Sequence, residues 1–166
     1  MNPSRSFRAP WAGLLKGMSA GVVTLLLAVG PGAWAMGLYG AGVARWLAAL
    51  PLLAIPVAAL FVVRGYDVAG GELRVRRLLW STRVPLAGLR EVQSGSSLVD
   101  GSLRVFGNGG FFSFTGWYWS RRLGMYRMFV TDLRRVVGLR LPSRWVLVSP
   151  DDVDGFVDVV RKGARP

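Results

Sequence analysis

Residues 66–79 read Tyr-Asp-Val-Ala-Gly-Gly-Glu-Leu-Arg-Val-Arg-Arg-Leu-Leu, and this stretch decides the fold. Two runs that alternate between apolar and polar residues flank Gly70-Gly71. That is the pattern of a β-hairpin, because a two-residue turn that matches strand twist needs positive φ at its centre. Side chains of a strand point alternately to opposite faces, so Leu73 and Val75 share one face and Arg74 and Arg76 the other. The apolar face belongs in a core and the basic face in water.

The same alternation repeats toward the C-terminus. Strands are expected over 83–86, 89–93, 102–106, 111–115, 125–131, 136–141 and 144–148, a spacing that suits a small barrel or sandwich. Ser149-Pro150-Asp151-Asp152 then signals a helix start, with Ser149 as N-cap, Pro150 in the first helical position and acids in the first turn. A helix is expected over about 150–161, where Val153, Phe156, Val157 and Val160 fall on one face and can cover an open end of the sheet structure. Arg161 and Lys162 suit its last turn.

The chemistry changes on the N-terminal side of Arg64. No Asp or Glu precedes Asp67, and from Gly17 to Val63 the only charged residue is Arg45. Residues 18–39 form an uncharged run of about 22 residues, enough to cross a hydrocarbon core roughly 30 Å thick. A second run, 46–63, is interrupted by Pro51 and Pro56, as Pro31 interrupts the first; kinks are expected there. A tight connection through Gly37, Gly40 and Gly42 would make the two runs a helical hairpin, with the strip Gly13, Gly17 and Gly21 packing on the second run. The alternative for the first run is a secretory signal peptide, with Arg5, Arg8 and Lys16 ahead of it and Ala33-Trp34-Ala35 as a cleavage-like site.

Two spans with Arg5, Arg8 and Lys16 before them and Arg64, Arg74, Arg76, Arg77 and Arg83 after them place both termini in the cytoplasm. The expected organisation is therefore a membrane anchor over 1–64 and a cytoplasmic domain over 65–166, in a multi-pass protein of the inner (plasma) membrane.

Several segments together resemble the bacterial pleckstrin-homology-like domain family: the two apolar runs, Tyr66-Asp67-Val68, Leu73-Arg74-Val75, the step from Pro85 to Leu89, Phe106-Gly107-Asn108-Gly109-Gly110 and Ser149-Pro150-Asp151-Asp152. The resemblance covers roughly residues 65–161. It implies an α+β, mainly-β domain, a seven-stranded bent antiparallel sheet or barrel capped by a C-terminal helix, and it implies no activity.

The formal charge of +12 admits nucleic acid, acidic ligands or an anionic membrane surface as partners, and the apolar runs favour the membrane. Anionic lipid attracts nearby Lys and Arg at roughly 1 kcal/mol each without a specific pocket. Cysteine and histidine are both absent, which removes thiolate chemistry and the usual general base and zinc ligands. Gly107-Asn108-Gly109-Gly110 lacks the Lys-Ser/Thr of a phosphate loop and reads as a turn with several positive φ angles. Asp151, Asp152 and Asp154 are explained by capping, so no catalytic residue, metal or cofactor is expected. The most suggestive segment is Trp117-Tyr118-Trp119-Ser120-Arg121-Arg122, followed by Arg127. Aromatics beside arginines suit headgroups at a bilayer surface, although in a small β domain two tryptophans in a hairpin are more often core or cross-strand packing. The candidate contacts are Arg74, Arg76, Arg77, Trp117, Trp119, Arg121, Arg122 and Arg127.

The expected function is a membrane-anchored, non-enzymatic module that binds a protein partner or anionic lipid headgroups at the inner leaflet, with no nucleic acid involved. The alternatives are an accessory subunit of a larger membrane complex and a membrane-bound enzyme.

Overall fold

The computed structural model describes residues 5–37 and 50–163. It opens on a strand that the sequence pattern does not announce: β1 (Arg5–Arg8) pairs antiparallel with β2 (Gly65–Ala69), placing Phe7 opposite Tyr66. The quoted hairpin forms as read. β2 pairs with β3 (Glu72–Arg76), and Gly70 and Gly71 take φ of 58° and 73°. Adding β4 (Ser81–Pro85) completes a four-stranded antiparallel sheet in the order β1-β2-β3-β4.

The second sheet is built from β5 (Glu91–Ser94), β6 (Leu103–Gly109), β7 (Phe114–Ser120), β8 (Gly124–Val130), β9 (Val137–Arg140) and β10 (Trp145–Val148), in the order β5-β9-β10-β8-β7-β6. The expected mainly-β domain with a terminal helix is what forms, as two sheets that do not close into a barrel. The strands expected after residue 65 form, except that the one expected over 111–115 is displaced: residues 111–113 are a bend and the strand is β7, Phe114–Ser120; the domain thus holds more than the seven that the resemblance implies. One pairing, β10 with β8, is parallel, because the chain returns through β9 before laying β10 beside β8.

One core lies between the sheets. Leu73 and Val75 of β3 enter it as their alternation requires, with Tyr66, Val68, Leu139, Val146 and Val148. A second cluster covers the other face of the larger sheet, where Phe114, Tyr118, Tyr126 and Met128 meet Leu98 and Leu15. The last helix begins at Val153 and runs to Gly163, three residues later than expected, and Phe156 and Val160 close the end of the first core. Its cap differs too. Asp152 Oδ1 accepts from Gly155 N at 2.9 Å, whereas Ser149 is fully buried, its Oγ accepting from Thr131 N at 2.8 Å and Asp132 N at 3.2 Å. A hydroxyl already engaged inside the core is unavailable to a helix N-terminus.

Between β1 and β2 the chain leaves the domain as an apolar arm. It contains α1 (Gly13–Leu27), a π-helical turn over Ala28–Gly32 that includes Pro31, the short α2 (Ala33–Ala35) and α3 (Leu50–Leu60), which includes Pro56. Among the described residues one helical stretch, Gly13–Gly32, is long and apolar enough to cross a membrane, and a signal sequence has the same character. The expected multi-pass placement in the inner membrane with both termini cytoplasmic is therefore corrected. The second run is described only as the 11 residues of α3, about 16 Å of helix against a core of about 30 Å. Its expected start at Trp46, and the expected connection through Gly40 and Gly42, lie outside the described residues. Outside their own helix, no described atom lies within 4 Å of a Cβ built on Gly13, Gly17 or Gly21, so the described part of the second run does not pack on this strip.

Candidate functional site

Where α3 comes back to the domain it faces β6 and β7 across an open cleft of about 500 Å³. One wall is a single helix face, Ala54, Val57, Ala58 and Phe61, residues at i, i+3, i+4 and i+7. The opposite wall carries Phe106, Phe111 and Trp117, and the floor carries Arg77 and Arg127, with Arg104 at the rim.

Local structure explains why both floor arginines point inward. On β7 and β8 the odd-numbered residues share one face, so Thr115, Trp117, Arg127 and Phe129 stand together, and Trp117 is the cross-strand partner of Arg127. Arg77 follows directly on β3 and is only 9% exposed. Its Nη1 donates to Phe61 O at 2.9 Å and its Nε to Thr82 Oγ1 at 3.3 Å. The first contact sets a cation against the carbonyl end of α3, where the helix dipole is negative.

Rings and guanidinium groups alternate across this floor. Arg77 Cζ stands 5.4 Å from the Phe129 ring centroid and Arg127 Cζ 5.3 Å from the same ring; Arg127 and Arg144 lie 4.9 and 5.6 Å from that of Trp117. Cation–π contacts of this kind are worth about 0.5–2 kcal/mol each, depending on desolvation. They do not neutralise charge. Among the described residues Arg77, Arg104, Arg127 and Arg144 form no ion pair with a carboxylate, although Arg5, Arg74, Arg76, Arg135 and Arg140 all do. The basicity of the floor pair is lowered in consequence: Arg77 by burial and then by the charge of Arg127, Arg127 by burial and then by that of Arg144.

The structure gathers three of the candidate residues, Arg77, Trp117 and Arg127, into this cleft. It separates the others. Arg74 and Arg76 lie on the outward face of β3 in ion pairs with Glu72 (3.6 Å) and Asp67 (3.4 Å). Trp119, Arg121 and Arg122 are exposed at the far end of the β7–β8 hairpin, where Arg122 Nη2 donates to Gln93 Oε1 at 3.1 Å. Sequence reasoning missed Phe61, Arg104, Phe106 and Arg144. The alternation within β10 and its approach places Arg144 near Arg127, but the parallel β8–β10 pairing that brings them together leaves no local signal.

A larger cleft of about 850 Å³ lies between the start of α1, residues 96–101 and residues 131–134. Its charged lining, Asp100, Asp132 and Arg134, is mixed in sign, so it selects no class of ion. Phe106-Gly107-Asn108-Gly109-Gly110 is structural: Asn108 bonds through its side chain to both backbone groups of Phe111, and Ser19 Oγ of α1 accepts from Phe112 N at 2.9 Å. Gly107 and Gly110 have positive φ, 119° and 113°, but Gly107, Asn108 and Gly109 pair with Gly116, Thr115 and Phe114 as the end of β6, so the segment expected as a turn is mostly strand.

A family model described as Bacterial PH domain matches residues 64–164 of this chain. No curated protein and no solved structure matches it.

Proposed function

Because the chain belongs to the bacterial PH domain family, whose fold generally serves binding rather than catalysis, we propose that it is a non-enzymatic binding module held against a lipid bilayer. The observation that carries this reading is the arm. Leu14, Leu25, Leu27, Leu53 and Val57 are exposed on α1 and α3, and Leu103, Val105 and Phe106 are exposed on β6. Full burial of such a side chain is worth about 1.5–3 kcal/mol, and since these are roughly half exposed about half of that is forfeited in water, a cost that lipid removes. Because β1 and β2 pair, the arm begins and ends at the same sheet, and the basic cleft lies at its root.

The test is fractionation of the full chain. It should sediment with membranes and resist both high salt and alkaline carbonate, since apolar insertion is insensitive to either. Release by salt alone would reduce the contact to surface charge, and recovery in the soluble fraction without detergent would overturn the reading.

One observation favours a second reading, an accessory subunit that docks on another membrane protein. The strip Gly13, Gly17 and Gly21 lies open among the described residues, and small residues of this kind permit close helix approach. Crosslinking in native membranes separates the two, because a docked subunit gives one stoichiometric adduct and a lipid-binding module gives none.

A further inference from the structure

We infer that the cleft between α3 and the β6–β7 hairpin binds the phosphate of an anionic phospholipid, its acyl chain lying along Ala54, Val57, Ala58 and Phe61. This deepens the proposed function and rests on the domain sitting at a bilayer.

The argument is one of unmet demand. Arg127 touches Trp117 and Phe129, but neither ring supplies an acceptor for its N–H groups, and among the described residues no hydrogen bond to them exists. Burial and the neighbouring charges of Arg77 and Arg144 destabilise the cation at Arg127, so an anion placed there relieves repulsion as well as accepting hydrogen bonds. No acidic side chain of this protein can reach the role from the N-terminal side, because none precedes Asp67.

The rest of the cleft decides the kind of anion. From Phe61 to Ala54 one helix face runs roughly 10 Å away from the arginines, and Phe106 and Phe111 face it. A free phosphate or a sugar phosphate would leave that apolar channel wet. A phosphodiester carrying an acyl chain fills both halves, with its headgroup at the domain end and its chain directed along the arm. Arg77 is already held by Phe61 O and Thr82 Oγ1, so it contributes charge while Arg127 contributes free donors.

The experiment uses the full chain in neutral detergent, titrated with dihexanoylphosphatidylglycerol below its micelle concentration and followed by tryptophan fluorescence. Dihexanoylphosphatidylcholine, inorganic phosphate and glycerol phosphate are the comparison probes. Saturable binding of the anionic lipid is expected, weakened roughly tenfold or more by Arg127→Gln, the range that a lost charge-assisted hydrogen bond gives. Arg121→Gln, in the exposed hairpin turn, should leave it unchanged. Equal affinity for inorganic phosphate would assign the site to a free anion and overturn the lipid assignment, as would equal binding by wild type and Arg127→Gln. Unchanged melting of each variant in detergent confirms that the fold is intact. Membrane fractionation of Arg127→Gln keeps the two readings apart: retention in the membrane with unaltered lipid affinity sinks this inference alone.

Discussion

At the scale of single residues, Tyr66 shows how one side chain ties the sheets together. It is fully buried; its hydroxyl donates to Phe129 O at 2.6 Å on the larger sheet and accepts from Ser149 N at 3.1 Å. Burial raises the phenol to about 12, outweighing the hydrogen bonds from Ser149 that lower it. Up to about pH 10 the phenol is neutral in both folded and unfolded chains, and its contribution to stability is complete. Between about 10 and 12 the unfolded chain releases its proton while the folded chain keeps it, so stability falls as pH rises. Tyr66→Phe should cost about 1–3 kcal/mol at neutral pH by orphaning two buried backbone groups, and should make the alkaline decline shallower. Thermal melts in mild detergent across that range test both, and an unaltered alkaline slope would remove Tyr66 as its source. Tyr-Asp-Val announced a strand, but nothing local told that its hydroxyl would find Ser149, 83 residues away.

Gly107 and Gly116 make a second residue-scale case. They are cross-strand partners on β6 and β7 with φ of 119° and 140°. A Cβ on either would strike the partner's Cα, at 2.7 Å from Gly107 and 2.8 Å from Gly116, besides a carbonyl oxygen of the facing strand. Gly116→Ala therefore strains the backbone and separates the strands at the lip of the cleft. A loss of about 1–3 kcal/mol is expected, read as a lower melting temperature. The positive φ of the Phe-Gly-Asn-Gly-Gly motif was legible, but not that Phe106 to Gly109 would be strand, nor the facing glycine in Trp-rich β7, since a close approach involves two strands.

At the scale of elements, β1 is the informative surprise. Arg5-Ser6-Phe7-Arg8 is only four residues long and its arginines resemble the basic flank of a membrane segment, so periodicity cannot identify it. The structure makes it an edge strand with Phe7 buried against Phe156, the ring centroids 5.2 Å apart at 80°. Asp151 reinforces it: its Oδ1 accepts from Arg8 N at 3.0 Å, and its own N–H donates to Arg8 O at 3.0 Å. Phe7→Ala should cost about 3–5 kcal/mol, the range for a large buried aromatic. The loss should appear in the melting of the full chain, and a change below 1 kcal/mol would mean that β1 is dispensable. The pairing also bears on the signal-peptide alternative, because cleavage after Ala35 would take β1 away and expose the core at Phe156. By contrast, the other strands except β7, expected over 111–115 and found at Phe114–Ser120, and the last helix were legible, because an alternating strand or an amphipathic helix writes its period into a few consecutive residues.

At the scale of the whole molecule, the sequence by itself determined the segregation. An acid-free apolar N-terminal third and an arginine-rich alternating remainder require two environments, and burying the alternating faces requires stacked sheets with a helix over one end. Only the tertiary structure decided that the chain's first residues return to the sheet of its later ones, that the described arm holds one helix of crossing length, and that Arg77, Trp117 and Arg127 meet in one cleft while Arg74, Arg76, Trp119, Arg121 and Arg122 lie elsewhere. The reason is physical. Periodicity and solvent preference are properties of neighbours along the chain, whereas a cluster of unneutralised charge exists only where strands distant in sequence are brought side by side.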